Sequence, residues 1–216
     1  MPEKPEPIPC PLCIGAGAEL FFKEPARPYL RCHECSLIFV PSRFHLSSEE
    51  EKKRYGLHEN NPDDPRYREF LNKLAVPLAA RLPKGAKGID FGSGPGPALS
   101  IMLSELGFSM KNFDPFYAND PEVLEETYDF LACSEAMEHF SDPKKEWELF
   151  MRMVKKGGFI GVMTDLLKEG ADFPSWHYKK EPTHVCFYSQ KTFQWLAERH
   201  ELKLDFFGIS VAIFQR

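Results

Sequence analysis

Two rhythms of apolar residues alternate along the chain from Ala86 onward. Short apolar runs at Ala86 to Phe91, Phe108 to Phe113, Phe130 to Cys133 and Phe159 to Met163 read as strands. Between them the spacing is helical. Pro97 to Leu106 follows the first strand, and Ser141-Asp142-Pro143 caps a helix through Val154 with Trp147, Phe150, Met151 and Val154 on one face. Lys155-Lys156-Gly157-Gly158 is expected to end that helix. Ser189 caps a further helix over Gln190–His200, and Leu202–Phe207 with Ile209–Phe214 forms a tight terminal hairpin. Just upstream, Tyr67 to Leu82 repeats apolar residues at Phe70, Leu71, Leu74, Ala75, Leu78 and Leu82, a helix that Pro77 is expected to kink. Alternating strands and helices predict an α/β fold with a mostly parallel sheet.

The first 85 residues follow neither rhythm for long. Residues 1–9 form a proline-laden tail, expected to be loosely held. Cys10-Pro-Leu-Cys13 and Cys32-His-Glu-Cys35 follow, separated by 18 residues (14–31). Two such pairs can bring four thiolates around one Zn²⁺, with strand-like segments between them. Too few apolar residues lie here for a core, so the metal would supply the folding energy, and this module is expected to rest on a core of its own. Glycine usually follows the second cysteine of each pair; here Ile14 and Ser36 stand there. His33, between two ligands, reads as an exposed bystander. Ser47-Ser48-Glu49-Glu50-Glu51 opens a capped, acidic helix, and Arg54 to Pro62 is a polar, aromatic linker. The expected segments are a ribbon at 1–45, a linker and helix at 46–85, and an α/β domain at 86–216.

Composition narrows the class. The chain has 216 residues, 43% of them hydrophobic, enough for a proper core. Its net charge of −5 creates no global field for nucleic acid or acidic membrane. No apolar run reaches a spanning length, and six cysteines, four of them in pairs, suit metal binding in a reducing compartment. A cytoplasmic protein is expected.

The chemistry concentrates at Gly88-Ile89-Asp90-Phe91-Gly92-Ser93-Gly94-Pro95-Gly96. A strand, a glycine loop and a helix in that order are expected to aim free N–H groups at a ligand over the sheet edge. The glycines run GxGxG rather than the GxGxxG of dinucleotide folds. With Asp90 two positions ahead, the segment resembles motif I of class I S-adenosylmethionine (SAM) dependent methyltransferases. Asp114, ending the next strand, falls 22 residues after Gly92, close to the offset of about 20 at which a carboxylate meets ribose hydroxyls. It is expected to be an exposed crevice carboxylate. Only 13 residues (115–127) separate it from Tyr128. That is too few for a full helix and a third strand, so one or both must be abbreviated, with Pro121 to Leu124 as a remnant.

A second match lies at Ser134-Glu135-Ala-Met-Glu138-His139, where ExxEH follows a strand. It resembles the motif after the fourth strand in methyltransferases similar to the ubiquinone-pathway O-methyltransferases. Residues at i, i+3 and i+4 share a helical face. They can line the methionine end of a pocket, hold a divalent ion, or simply be acids tolerated at a helix N-terminus. The long stretch from Thr164 carries Trp176-His177-Tyr178, readable as pocket walls or as plugs in a lid. His184 resembles a histidine found before an aromatic strand in this subgroup.

The resemblance implies a Rossmann-like sheet of seven strands, or one element fewer, and SN2 transfer of the SAM methyl group to an O, N or C nucleophile, leaving S-adenosylhomocysteine (SAH). It implies cofactor contacts from Asp90, Gly92, Ser93, Gly94, Gly96, Asp114, Pro115, Ser134 and Glu135. Tyr55, His58 and Asn60 are added from a linker that folds back over the pocket in similar ribbon-bearing enzymes. His139 and His184 are the candidate bases, and Cys10, Cys13, Cys32 and Cys35 the zinc ligands. The acceptor is unidentified, a small molecule being favoured and nucleic acid left open. The competing reading is a zinc-ribbon interaction protein whose methyltransferase-like domain binds SAM weakly or not at all; an NAD-dependent oxidoreductase is disfavoured by the GxGxG spacing.

Overall fold

A computed structural model describes residues 8–57 and 60–216 of the chain. The N-terminal module is a hairpin, β1 (Ala18–Lys23) and β2 (Pro28–Cys32), followed by β3 (Ile38–Phe39). Helix α1 (Ser48–Tyr55) starts at Ser47 with a capping box, Ser47 and Glu50 bonding each other's backbone N–H. Helix α2 (Pro65–Ala79) begins at Asp64 and carries Pro77 in its last turn. Then come β4 (Lys87–Phe91), α3 (Ala98–Glu105), β5 (Ser109–Phe113), β6 (Tyr128–Ser134), α4 (Pro143–Met153) and β7 (Val154–Met163). The short β8 (Cys186–Phe187), α5 (Gln190–Arg199), β9 (Lys203–Phe207) and β10 (Val211–Gln215) complete the chain.

The main sheet has the order β5-β4-β6-β7-β10-β9. Its first four strands are parallel, and β10 lies antiparallel to both β7 and β9. The count among the described residues is six, not seven. Residues 115–127 hold only an Asp114–Ala118 bridge and a 3-10 turn at Pro121–Leu124, so no third parallel strand fits and β5 becomes an edge. Lys155 to Gly158, expected to end a helix, lies inside β7, because Val154 already pairs with Tyr128.

Each sheet face carries a core. On one, Leu71, Leu74 and Leu78 of α2 and Leu99 and Leu103 of α3 cover Phe130, Val211 and Ile213. Gly88 is required there, since a Cβ would lie 2.1 Å from the Phe130 ring. On the other face, Trp147 and Phe150 of α4 and Phe193 and Leu196 of α5 pack with Phe91 and Phe214.

The N-terminal module does not stand apart. Its sheet has four strands, β1-β2-β3-β8, the last supplied by the C-terminal half of the chain. Tyr29, Leu37 and Phe39 belong to the same core cluster as Trp147 and Phe193. Phe173 joins the halves, its ring 5.1 Å from those of Phe21 and Tyr29 and 5.9 Å from that of Phe187. The expectation of separate cores is therefore corrected: β3 has too little area to bury itself and uses β8. None of the described helices is long and apolar enough to cross a membrane.

Candidate active site

A cavity of about 530 Å³ opens over the carboxyl ends of β4, β5 and β6, where open α/β sheets bind ligands. The glycine loop forms its floor, but most of its N–H groups point elsewhere than expected. Gly92 and Ser93 donate to Phe113 O at 2.8 and 3.2 Å, and Gly94 donates to Asp114 Oδ2 at 2.9 Å. What the loop presents is Ser93 Oγ, buried with no hydrogen-bond partner among the described residues. Asp114 is not an exposed carboxylate. It is 7% accessible, and its Oδ1 accepts from the N–H groups of Phe116 at 2.8 Å and Tyr117 at 3.1 Å. Its carboxylate thus clamps the glycine loop to the end of β5, and with two donors on Oδ1 and one on Oδ2 it is Oδ2 that keeps a lone pair for another donor. Asp90 lines the cavity too, and burial pushes its carboxyl up to about 7.

Asn60, beyond α1, lies on this floor. Asn60 packs so closely that a Cβ on Gly96 would come 2.0 Å from its carbonyl oxygen. Tyr55 forms another wall, its ring 5.7 Å from Phe116 and 5.1 Å from His139. His58 lies outside the described residues. Pro115 and Ser134 also line the cavity.

At the far end the ExxEH residues do not share one helix. Glu135 follows β6 with φ +49°, a left-handed backbone conformation uncommon for a residue with a side chain, and Met137–His139 is a single 3-10 turn. Glu135 and Glu138 nevertheless converge on Tyr178. The Tyr178 hydroxyl contacts Glu138 Oε1 and lies 3.2 Å from Glu135 Oε2, and Thr164 Oγ1 donates to Glu138 Oε2 at 2.9 Å. One phenol hydrogen cannot serve both carboxylates. Burial and the Glu138 charge push Glu135 up to about 9, so at neutral pH it holds a proton and supplies the second bond itself.

His139 and His184 stand together, ring centroids 4.7 Å apart, with Tyr178 4.2 Å beyond His184. His139 Nδ1 lies 3.1 Å from Thr183 O and His184 Nδ1 2.7 Å from Tyr178 O. A carbonyl only accepts, so each Nδ1 carries the hydrogen. Burial holds His184 down to about 4, leaving it neutral with its lone pair on Nε2.

Two groups of residues have donor sets that could hold a metal. Cys10, Cys13, Cys32 and Cys35 converge, with Cys10 Sγ 3.5 Å from Cys35 Sγ and Cys13 Sγ 3.4 Å from Cys32 Sγ. The missing glycines do not spoil the knuckles, because Ile14 (φ +62°) and Ser36 (φ +59°) adopt the left-handed turn themselves. Ile14 N–H donates to Cys10 O, Ser36 N–H to Cys32 O, and Gly15 N–H to Cys13 Sγ at 3.3 Å. Burial pushes Cys13 up to about 12, a penalty on the thiolate that a divalent cation offsets. His33 is exposed and outside the cluster. The second group is Glu138, His139 and His184, whose ligand atoms lie within 4.8 Å of one another.

Spacing along the chain did not reveal the roles of Tyr178, Thr164 and Glu181, which reach the site from a segment without periodicity. Trp176 is a plug rather than a wall, donating to Asp165 Oδ2 at 2.9 Å and packing on Phe173 and Phe187. Glu181 sits opposite Arg54 of α1 at 2.6 and 2.9 Å. Burial alone would raise its carboxyl, but the guanidinium holds it down to about 2.

Sheet, glycine loop and strand-end carboxylates together define the fold of a class I SAM-dependent methyltransferase. The family model described as a methyltransferase domain matches residues 62–205, two thirds of the chain, and the chain belongs to that family. Among curated proteins none matches. Among solved structures the chain is similar to the SAH-bound form of CalO1, a methyltransferase in calicheamicin biosynthesis (17% identity, TM-score 0.50). That match covers 69% of this chain but only 54% of CalO1. A Burkholderia thailandensis 1,6-didemethyltoxoflavin-N1-methyltransferase with its substrate and SAH bound matches 91% of this chain and 97% of its own (12% identity, TM-score 0.53). A putative methyltransferase from Bacillus halodurans C-125 matches 63% and 67% (18% identity, TM-score 0.50).

Proposed function

We propose that this enzyme binds SAM across the glycine loop and transfers its methyl group to a small neutral or cationic acceptor beside His139 and His184. The observation that carries the reading is one cavity joining the Asp114-braced loop to the Glu135–Tyr178–His184 cluster. In it the remaining lone pair of Asp114 Oδ2 accepts from a ribose hydroxyl, with Pro115 and Phe116 beside the adenosine and Ser93 Oγ facing the ligand. Asp90, Gly92, Gly94 and Gly96 shape the floor, and Tyr55 and Asn60 cover it. Ser134 and Glu135 meet the methionine end, where a carboxylate suits SAM's positive charges. The acceptor's lone pair attacks the methyl carbon, the C–S pair returns to sulfur, and SAH leaves. Alignment supplies much of the rate. An acceptor proton released on methylation can pass to His184 Nε2, aided by His139.

Seven acidic residues, with Glu135 the protonated one, and neither lysine nor arginine line the cavity among the described residues. Such walls repel phosphate and carboxylate, which favours amine or hydroxyl acceptors over nucleic acid. The four thiolates suit Zn²⁺, which would hold the ribbon as a tetrahedral cross-link, and six unpaired cysteines fit a cytoplasmic setting. Residues 1–45, 46–85 and 86–216 then serve as ribbon, cover and cofactor domain. Ribbon and ExxEH together support placement in the subgroup similar to ubiquinone-pathway O-methyltransferases.

Thermal shift with SAM, SAH and NAD side by side tests this. At 100-fold excess over Kd, SAM and SAH should each raise Tm by about 5–10 °C, and NAD should leave it unmoved. A shift with NAD alone would replace the reading, and no shift at all would favour an interaction protein with an inactive domain.

Glu135 gives a pH signature. Its carboxyl titrates near 9 in the free protein, and a nearby cation favours the ionised form. SAM binding should therefore release protons at pH 7.5 and tighten as pH rises toward 9. SAH lacks the sulfonium charge and should release fewer. Calorimetry in two buffers of different ionisation enthalpy reads the difference; equal proton release for both ligands would remove Glu135 from the sulfonium end.

A further inference from the structure

We infer that Arg27, at the tip of the ribbon hairpin, is a positioning residue that holds the acceptor-side segment 178–184, making the ribbon part of the catalytic half of the molecule. This rests on the methyltransferase reading only in calling that segment acceptor-side. Arg27 lies far from the glycine loop in sequence and function, yet it is 8% accessible. All five guanidinium N–H directions are engaged. Nη1 donates to Pro182 O at 2.8 Å and His184 O at 3.0 Å, and Nη2 donates to Lys179 O at 2.6 Å and Glu181 O at 3.0 Å. Nε donates to Tyr29 Oη at 3.0 Å.

Four main-chain carbonyls within six residues thus converge on one cation. Carbonyl dipoles aimed at a common point repel each other, and buried carbonyls left unbonded are destabilising. Only a planar five-donor group can satisfy this set, so the segment keeps its shape while the guanidinium is present. The hairpin adds a second hold: Glu24 accepts from Tyr29 Oη at 3.0 Å and pairs with the buried Lys179. On the other side of His184 the ribbon bonds the chain again, Val40 N–H donating to Val185 O at 2.9 Å and β3 pairing with β8.

Every acceptor-side group hangs on this segment. Tyr178 meets Glu135 and Glu138, Glu181 pairs with Arg54, Thr183 O fixes the His139 ring, and Tyr178 O fixes the His184 ring. The ribose end of the donor half has no such link, since Asp114 and the glycine loop are braced by β5; the segment touches the donor half only at its margin, through Tyr178 to Glu135 and Glu181 to Arg54. A defect at Arg27 should therefore separate the two halves, sparing SAH and releasing His184.

The test compares Arg27→Gln and Arg27→Lys with the full-length wild type, using SAH as the probe. Calorimetry should give SAH affinities within about two-fold of wild type in both variants. Amide hydrogen exchange over 178–185 should quicken by about ten-fold or more in Arg27→Gln, and less in Arg27→Lys. Long-range ¹H–¹⁵N spectra of the histidine rings should show His184 titrating near 4 in the wild type and moving toward the ordinary 6.5 in Arg27→Gln. A merely structural defect elsewhere would not move that midpoint while leaving SAH bound. Unchanged exchange and an unchanged His184 midpoint in Arg27→Gln overturn the inference, as does loss of SAH binding in a folded variant. If Arg27→Gln does not fold, Arg27→Lys decides: its three donors cannot serve four carbonyls, so wild-type behaviour there overturns the inference equally. A wild type that binds no SAH sinks the methyltransferase reading instead, and the exchange result stands by itself.

Discussion

Cys32→Ser is expected to lower the melting temperature of the whole chain in a single transition, not to release a detached ribbon. Cys32 is 1% accessible, closes β2, and faces Cys13 at 3.4 Å. With Zn²⁺ held as proposed, losing one of four ligands would remove metal-derived folding energy, which amounts to ~10–16 kcal/mol in isolated zinc modules. Much of that loss is transmitted, because Tyr29 and Phe39 bury their rings against residues of the C-terminal half. Even ~3 kcal/mol corresponds to about 6–12 °C in a chain of this size. Scanning calorimetry with metal analysis checks it. Two transitions, the SAH-sensitive one unshifted, would show that the shared core transmits nothing.

Asp114→Ala is expected to weaken SAM and SAH by about ten-fold or more and to destabilise the free protein as well. A charge-assisted bond from a ribose hydroxyl to Oδ2 is worth ~1.5–3 kcal/mol, so its loss sets the affinity change. The stability loss has a different origin: the N–H groups of Gly94, Phe116 and Tyr117 lose their acceptor at once, at roughly 1–3 kcal/mol where they stay buried. Asp114→Asn keeps one acceptor oxygen and should fall between. Titration of SAH and thermal melts on both variants separate the effects. Wild-type SAH affinity in Asp114→Ala would mean that the ribose lies elsewhere.

Elements with a strong period were legible in the sequence. β4 and β6, α2, and the Ser47 and Ser189 caps were all readable from local pattern, because strand burial and helix capping act over a few residues. The short 115–127 segment also announced that an element had been trimmed. Roles that depend on distant pairing were not legible. Asp114 looked like a crevice carboxylate because nothing local shows that Gly94 N–H reaches it. ExxEH suggested a helical face, whereas the positive φ at Glu135 breaks it and Tyr178 reunites the two acids. Arg27 carries no local signal, because its carbonyl partners lie more than 150 residues downstream. The same holds for the ribbon, whose β3 is too short to suggest that β8 completes it.

The central claim is that the cavity over β4, β5 and β6 is a SAM site, and calorimetric titration of SAH into the full-length, metal-loaded protein tests it most directly. The account predicts saturable binding at one SAH per chain, and competition by SAM for the same site. Absence of heat and of any thermal shift, with metal present and the protein folded, would contradict it.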